Sequence, residues 1–257
     1  MNAISQSEIQ KLVSAEEWQL RIDLAACYRL VALYGWSDLV FTHISARVPG
    51  PEHHFLINRY GVIFDRMKAS DLVRIDEHGQ VVNGIKEHSR VNAAGFVIHS
   101  AIHMARPDLG CVIHTHTGAG MAVAAQEHGL LPISQHALKF YGKLAYHTYE
   151  GIALSLDERE RLVADLGPHK AMILRNHGLL AAGSGVAQAF HEIHFLERAC
   201  QAQVQALSGN SKLLQPSEEV CRLTAEQFDR DEAEEIIQLS WQAALTLIED
   251  QRESYCS

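Results

Sequence analysis

Apolar residues recur at the spacing of an amphipathic helix in several long stretches of this chain. The first stretch opens on Ser14 and Glu17, the spacing of a capping box, in which a hydroxyl and a carboxylate satisfy backbone N–H groups of the first turn. Shorter helices are predicted after Gly118 and at 157–166. The long helices are predicted at 14–35, 89–105, 186–207 and, as a helical tail, from 216 onward.

Short apolar runs between these helices predict strands. Two pairs of runs are joined by turn residues and predict hairpins: 44–48 with 55–57, and 72–75 with 81–82. Further strands are predicted at 110–116, 130–134, 144–148 and 171–175. Hairpins interleaved with helices indicate a layered α/β architecture rather than strict alternation of strand and helix.

One domain with an arm at each end accounts for the length of the chain. Residues 208–211 are the best candidate for a linker, and the segment beyond them is too short for a core of its own. We therefore expect an N-terminal arm at 1–13, a domain at 14–208 and a helical C-terminal arm at 209–257. The C-terminal arm has an apolar stripe that must cover either its own domain or a neighbouring chain. The stripe consists of Ile237, Trp241, Leu245 and Ile248.

The balance of charge restricts the partners of the protein. Its 257 residues include 22 basic and 31 acidic side chains, a formal net charge of −9. Nucleic acids and anionic membranes bind basic surfaces, so we expect neither as a partner. The hydrophobic content of 47% is enough for a sizeable core and excludes a chain that is disordered throughout.

The cysteines and the apolar runs indicate a cytoplasmic protein. The five cysteines form no CxxC pair, and their odd number favours free thiols in a reducing compartment. No stretch approaches the ~18 uninterrupted apolar residues that read as a membrane span. The first residues also lack the basic and then apolar pattern of a secretion signal.

The 16 histidines are the unusual feature of the composition. His114 and His116 are two apart on a predicted strand, so both imidazoles point to the same face. An isolated pair of this kind is equally compatible with two core or surface histidines. A third histidine, His177, follows a predicted strand where the chain turns at Gly178. Three neutral imidazoles on one metal leave a coordination position open, as in a catalytic site.

Five short motifs along the chain carry a resemblance. They are Gly35-Trp36-Ser37-Asp38, Thr42-His43-Ile44-Ser45, Ala105-Arg106-Pro107-Asp108, His114-Thr115-His116-Thr117 and Arg175-Asn176-His177-Gly178. In order and spacing they resemble the class II aldolase/adducin family, over residues 14–207. The resemblance implies a three-layer α/β/α sandwich with a mainly antiparallel central sheet, assembled as a homotetramer.

The resemblance also implies a role for the three histidines. His114, His116 and His177 correspond to residues that bind a divalent metal, most often zinc, with iron as the other possibility. In the aldolases of the family that metal polarises a ketose phosphate and stabilises the enediolate, a Lewis-acid role.

Several positions depart from the aldolase pattern. The family's general base, a glutamate, corresponds here to Gly95, and the serines before it correspond to Ala93 and Ala94. A Gly-Asn pair of the aldolases reads Thr42-His43, and their Thr-Gly phosphate turn reads Tyr60-Gly61. Glycine cannot move a proton, so a sugar-phosphate substrate is not expected. These departures make the chain resemble the adducin head domain, a scaffold module, more closely.

Other residues are candidates for the missing chemistry. His99 falls one helical turn after Gly95, and His136 falls where the aldolases place a tyrosine acid that reaches a neighbouring subunit. Both are candidate acid–base residues, and each is otherwise an ordinary buried or surface histidine. The candidate substrate-binding residues are Arg59, whose guanidinium can bind a carboxylate with two parallel hydrogen bonds, together with Tyr60 and His43.

Three functions remain open. The first is a metal-dependent lyase, of decarboxylase or aldolase type, acting on a small carboxylated or hydroxylated carbonyl compound that is not a sugar phosphate. The second is an iron-dependent oxygenase on the same site, because imidazole suits iron and zinc alike. The third is a non-catalytic, adducin-like oligomeric binding module.

Overall fold

A seven-stranded sheet lies at the centre of the molecule. The computed structural model describes residues 6–82, 90–151, 157–209, 211–230 and 233–257. The strands are β1 His43–Arg47, β2 Phe55–Asn58, β3 Leu72–Ile75, β4 Cys111–Thr115, β5 Leu144–His147, β6 Ala171–Leu174 and β7 Gly178–Gly183. Across the sheet they follow the order β3-β2-β1-β4-β7-β6-β5.

Neighbouring strands are antiparallel except at one edge, where β5 and β6 run parallel. The first predicted hairpin is confirmed, with Ser45 of β1 opposite Ile57 of β2. In the second, the return strand is reduced to a single bridge between Ile75 of β3 and Val81. The mainly antiparallel sheet that the resemblance implied is therefore confirmed.

One predicted strand is absent and one observed strand was not predicted, each for an identifiable reason. Residues 130–134 form no strand, because side chains take their backbone donors: the N–H of Leu130 donates to the Tyr146 hydroxyl and that of Leu131 to Gln203 Oε1. Strand β7 is missing from the predictions because its sequence, Gly-Leu-Leu-Ala-Ala-Gly, contains no β-branched or aromatic residue.

The predicted helices are present with small shifts at their ends. The helices are α1 Gln6–Leu12, α2 Ala15–Leu33, α3 Ala93–Ala105, α4 Gly118–Ala124, α5 Gln135–Leu138, α6 Glu158–Leu166, α7 Val186–Ser208, α8 Glu218–Gln227, α9 Ala233–Thr246 and α10 Arg252–Tyr255. Ser14 caps α2 by accepting a hydrogen bond from the N–H of Glu17. Ser89 of the helix predicted at 89–105 and Asn210 of the predicted linker lie outside the described residues.

Helices cover both faces of the sheet, which confirms the three-layer α/β/α arrangement. α2, α4 and α7 pack on one face, and their apolar residues form the larger core with Ile44, Ile113 and Ala181 of the strands. α3 and α6 pack on the other face, against Val112 and Leu180 among others.

The alternation of side chains along β4 decides where its histidine points. Cys111 and Ile113 belong to the core under α2 and α7, whereas Val112 belongs to the core under α3 and α6. His114 follows two residues after Val112, so its side chain leaves the sheet on the α3 side. α3 and α6 therefore lie on the face of the sheet to which His114 points, and α2, α4 and α7 lie on the opposite face.

The C-terminal helices pack on their own domain. Ile237, Trp241 and Ile248 of the predicted stripe are buried, and Leu245 is partly buried against the same core. The Trp241 ring meets Phe190 of α7 edge-on, with 5.6 Å between centroids. The stripe therefore covers this chain rather than a neighbouring one. In the part of the chain that the structure describes, no helix combines the length and the apolar character needed to cross a membrane.

Candidate metal centre

Three histidines from separate segments converge beside β4. His114 lies in β4, His116 follows the end of that strand, and His177 lies in the turn between β6 and β7. Asn176 reverses the chain in that turn with φ +55°, a left-handed conformation that asparagine tolerates well. The Nε2 atom of His116 is 2.8 Å from Nε2 of His114 and 2.9 Å from Nε2 of His177.

The outer ring nitrogens of two of these histidines have fixed partners. Nδ1 of His114 lies 2.9 Å from the carbonyl oxygen of Leu179, so it donates a hydrogen bond there. Nδ1 of His116 lies 3.0 Å from a carboxylate oxygen of Asp38 and donates to it. With the proton on Nδ1, each Nε2 lone pair faces the common centre. This donor set fits a divalent cation.

The surroundings keep the imidazoles of His114 and His177 neutral, as metal ligation requires. Burial and the neighbouring histidine His43 hold the pKa of His114 well below its usual range. Burial, and then His116, lowers the pKa of His177 to about 4. Neutral rings at physiological pH keep their lone pairs available to a cation.

His43 lies against this cluster and explains the glycine at position 95. His43 pairs with His114 across β1 and β4, and it is 2% exposed. A Cβ atom added to Gly95 of α3 would lie 2.7 Å from the His43 ring, closer than real contacts allow. Neither ring nitrogen of His43 has a hydrogen-bond partner among the described residues. Burial, and then His116, lowers the pKa of His43 to about 3.

His99 lies behind His43 rather than in the three-histidine cluster. Its ring centroid is 4.4 Å from that of His43, and its Nδ1 is 2.6 Å from the Ser45 hydroxyl oxygen. The same hydroxyl oxygen is 2.8 Å from Nε2 of His103. His99 therefore belongs to a buried polar layer between α3 and the sheet, with His43 between it and His114.

His136 lies on another surface of the same chain. It is in α5, and its ring stacks on Phe195 of α7 with 4.8 Å between centroids. Burial lowers the pKa of His136, and the positive charge of Arg198 on α7 lowers it further. A part for His136 at a metal centre would therefore depend on a second copy of the chain.

Arg59 and Tyr60 lie in the turn after β2. The Arg59 guanidinium is 40% exposed and donates to a carboxylate oxygen of Asp71 at 2.8 Å. The backbone N–H of Tyr60 donates to the Arg90 carbonyl at 2.7 Å. The turn is thus held in place, and the Arg59 side chain reaches solvent.

Two features near the histidines were not assigned by sequence reasoning. Asp38 stands in one of the quoted motifs, but its contact with His116 spans 78 positions. His147 of β5 lies between two carboxylates, with Nδ1 2.7 Å from Asp165 and Nε2 3.4 Å from Glu158. The motif around Asp38 was an available signal, whereas nothing in the sequence pairs His147 with its carboxylates.

The chain belongs to the class II aldolase/adducin family. The Class II Aldolase and Adducin N-terminal domain matches residues 22–204. A Caulobacter vibrioides protein named for the class 2 aldolases is 55% identical over 206 residues, which are 80% of this chain and 79% of that protein. Alpha-adducin of Rattus norvegicus is 47% identical over 190 residues, 74% of this chain but 26% of the adducin.

Solved structures agree with this assignment. An aldolase II superfamily protein from Pseudomonas syringae is 49% identical, with a TM-score of 0.91 over 97% of this chain and 99% of that one. An L-fuculose 1-phosphate aldolase from Glaciozyma antarctica is 30% identical, with a TM-score of 0.82 over 99% of this chain and 96% of that one. The family thus includes both enzymes and adducins.

Proposed function

We propose that this protein is a divalent-metal-dependent lyase that cleaves a C–C bond of a small carboxylated or hydroxylated carbonyl compound. The observation that carries the proposal is the convergence of three Nε2 atoms, two of them on rings whose outer nitrogens are already bonded. A structural site closes its coordination with a fourth protein ligand, and the cluster formed by the described residues contains only these three. A position for substrate therefore remains.

The chain's own residues support a carbonyl substrate rather than a sugar phosphate. A divalent metal on His114, His116 and His177 would supply Lewis-acid polarisation of a carbonyl oxygen. His43 is the buried polar group beside these rings, and its free nitrogens suit a hydrogen bond to a substrate oxygen. The exposed Arg59 guanidinium retains donors for a substrate carboxylate beyond its bond to Asp71. Gly95 offers no carboxylate base, so cleavage that begins with loss of carbon dioxide is favoured.

Zinc is the metal we propose. The three ligand atoms are imidazole nitrogens, which suit zinc and ferrous iron alike. Ferrous iron at the same site would instead support the oxygenase alternative. Oxygen uptake in the presence of a 2-oxo acid separates the two, because a lyase consumes no oxygen.

Elemental analysis of purified protein is the first test. We expect about one zinc per chain in the wild type and loss of that zinc in His114→Ala and His177→Ala, because removing one of three ligands opens the site. His128→Ala, at an exposed histidine outside the cluster, is the matched control and keeps its metal. Carbon dioxide release from a panel of small 2-oxo and hydroxy acids then measures turnover. Full turnover in metal-free His114→Ala would contradict the proposal.

The adducin-like binding module is the second candidate, and the His43–Gly95 pair favours it. Gly95 replaces the family's glutamate base. The resemblance to the adducin head domain implies a scaffold role rather than catalysis. A wild-type protein that binds no zinc or ferrous iron, or that binds metal and releases no carbon dioxide from any acid, would support this module.

We also propose a cytoplasmic homotetramer. The described cysteines form no disulfide bond with one another, and four of the five are buried, which supports a reducing compartment. Leu39 and Phe41, next to the candidate centre, are 68% and 49% exposed, as expected of a surface that a second copy covers. Light scattering tests the assembly, and a monomeric mass would refute it.

A further inference from the structure

The turn between α2 and β1 carries the one carboxylate that contacts the three-histidine cluster among the described residues. Asp38 accepts the Nδ1 proton of His116 at 3.0 Å and is 41% exposed. Its own carbonyl accepts the backbone N–H of Phe41 at 2.9 Å, which closes a tight turn. Asp38 is therefore part of an ordered turn rather than a freely moving surface acid.

Three neighbours fix the direction of this turn. Gly35 takes a left-handed conformation with φ +71° at the end of α2. Trp36 is 3% exposed and stacks on Tyr34 with 4.7 Å between ring centroids. Leu39, directly after the aspartate, has φ +47°, which is unfavourable for a leucine, although its side chain is mostly in solvent. Burial of Leu39 does not explain that conformation, and this strained residue stands directly after the carboxylate that contacts His116.

His116 depends on this turn more than His114 depends on its neighbours. His114 lies within β4, and its Nδ1 donates to the backbone of the adjacent strand β7. His116 follows the end of β4, so no strand pairing orients its backbone. The outer nitrogen of its ring is bonded to Asp38 alone in the described residues.

We propose that Asp38 is a positioning residue that sets the affinity of the metal centre through His116. Its carboxylate holds the proton on Nδ1, orients Nε2 toward the shared centre and increases the donor strength of that nitrogen. Its negative charge also lies close enough to favour a dication over the empty cluster. This inference rests on the proposed metal centre, and it assigns Asp38 no contact with substrate.

Metal affinity measures this role without any assay of turnover. Zinc is titrated into metal-free wild type, Asp38→Ala, Asp38→Asn and Asp38→Glu against a chelator, and cobalt(II) replaces zinc for absorption spectra. We expect ~10–100-fold weaker zinc binding in Asp38→Ala, the range typical for loss of an outer partner of a ligating histidine. Asp38→Asn keeps a neutral acceptor, so its zinc affinity lies between those of the wild type and Asp38→Ala. Asp38→Glu recovers part of the lost affinity. The cobalt spectrum of Asp38→Ala changes because the His116 ring is released.

Two controls separate positioning from general damage. Asp229→Asn removes a carboxylate that pairs with Lys143 far from the cluster, and it leaves zinc affinity unchanged. Leu39→Pro keeps the Asp38 carboxylate but forces φ to about −65°, so it weakens zinc binding as Asp38→Ala does. Unfolding midpoints of the metal-free variants show that each is folded.

The outcomes are distinguishable. Zinc affinity of folded Asp38→Ala within twofold of the wild type, with an unchanged cobalt spectrum, overturns the role of Asp38 and leaves the metal centre standing. A wild type that binds neither zinc nor cobalt removes both the centre and the positioning role. Loss of affinity in Asp38→Ala that Asp38→Glu partly restores supports both.

Discussion

His43 and Gly95 share one volume between β1 and α3, so a side chain at position 95 requires a smaller residue at position 43. The glycine permits the imidazole, and the imidazole excludes any side chain at position 95 because an added Cβ would lie 2.7 Å from the ring. Loss of the family's glutamate is thus tied to gain of a buried histidine beside the metal ligands. At the scale of single residues this exchange supports the proposal that the substrate is not a sugar phosphate.

Gly95→Ala tests this packing. We expect the variant to lose ~1–3 kcal/mol of unfolding free energy, the usual cost of overpacking, although alanine normally favours a helix. Combining it with His43→Ala removes the overlap, so the double variant is more stable than the sum of the single effects predicts. Urea unfolding measures all three. Gly118→Ala, where nothing lies within 4 Å of the added Cβ, is the control. Strict additivity would contradict the shared volume.

Helix α4 begins directly after the candidate ligand His116, and a side-chain pair fixes its start. Thr117 caps α4 by accepting the N–H of Gly120 at 3.1 Å, and its hydroxyl donates to the buried Glu197 of α7. Burial raises the pKa of Glu197. At the scale of elements, this pair links the strand that carries His114 to the long helix beneath it.

Removal of the Thr117 hydroxyl is expected to loosen this link. Thr117→Ala loses the cap and leaves a buried carboxylate with one donor fewer, which together cost ~2–4 kcal/mol of unfolding free energy. Thr117→Ser keeps the hydroxyl and restores most of that loss. Thermal unfolding of the metal-free protein measures both. Equal stability of the alanine and serine variants would show that the hydroxyl is not what stabilises this end of α4.

Features that depend on contacts within a short span of the chain were predicted best from the sequence. The capped helix α2 and the first hairpin depend on contacts within a short span, and both were predicted. Strand β7 pairs with β6 close along the chain but was missed because its sequence contains no β-branched or aromatic residue. The irregular segment 130–134 was misassigned as a strand because it depends on partners far along the chain, such as Gln203. The three histidines were predicted because their spacing and the motif resemblance are local signals, whereas the bond of Asp38 to His116 exists only in the folded chain.

Buried neutral histidines dominate the response of the whole molecule to acid. Burial is the main reason that the pKa of each of two such histidines is lowered. The pKa is about 3 for His103 and about 4 for His191. The unfolded chain takes up these protons near the ordinary value of 6.5, and the folded chain does so only at much lower pH. The contribution of these histidines to the unfolding free energy is therefore fully present above pH ~6.5, and it is lost as pH decreases toward ~3.

Urea unfolding of the metal-free protein at pH 7 and pH 5 measures this dependence. His103 alone contributes a loss of ~2 kcal/mol between pH 6.5 and pH 5, since each pH unit is worth ~1.4 kcal/mol per proton. His103→Gln removes that proton site, so the variant loses less stability on acidification than the wild type, whatever its stability at pH 7. An equal pH dependence in the two proteins would contradict neutral burial of His103.

The three ligating rings come from two regions of the sheet, the end of β4 and the turn between β6 and β7. A cation shared between them acts as a cross-link across the middle of the sheet, closing a long loop of chain as a disulfide does. Its binding free energy then adds to that of folding, ~2.7 kcal/mol at a free metal concentration a hundredfold above the dissociation constant. At the proposed centre a chelator would therefore act as a denaturant, and metal supply would set the lifetime of the protein as well as its chemistry.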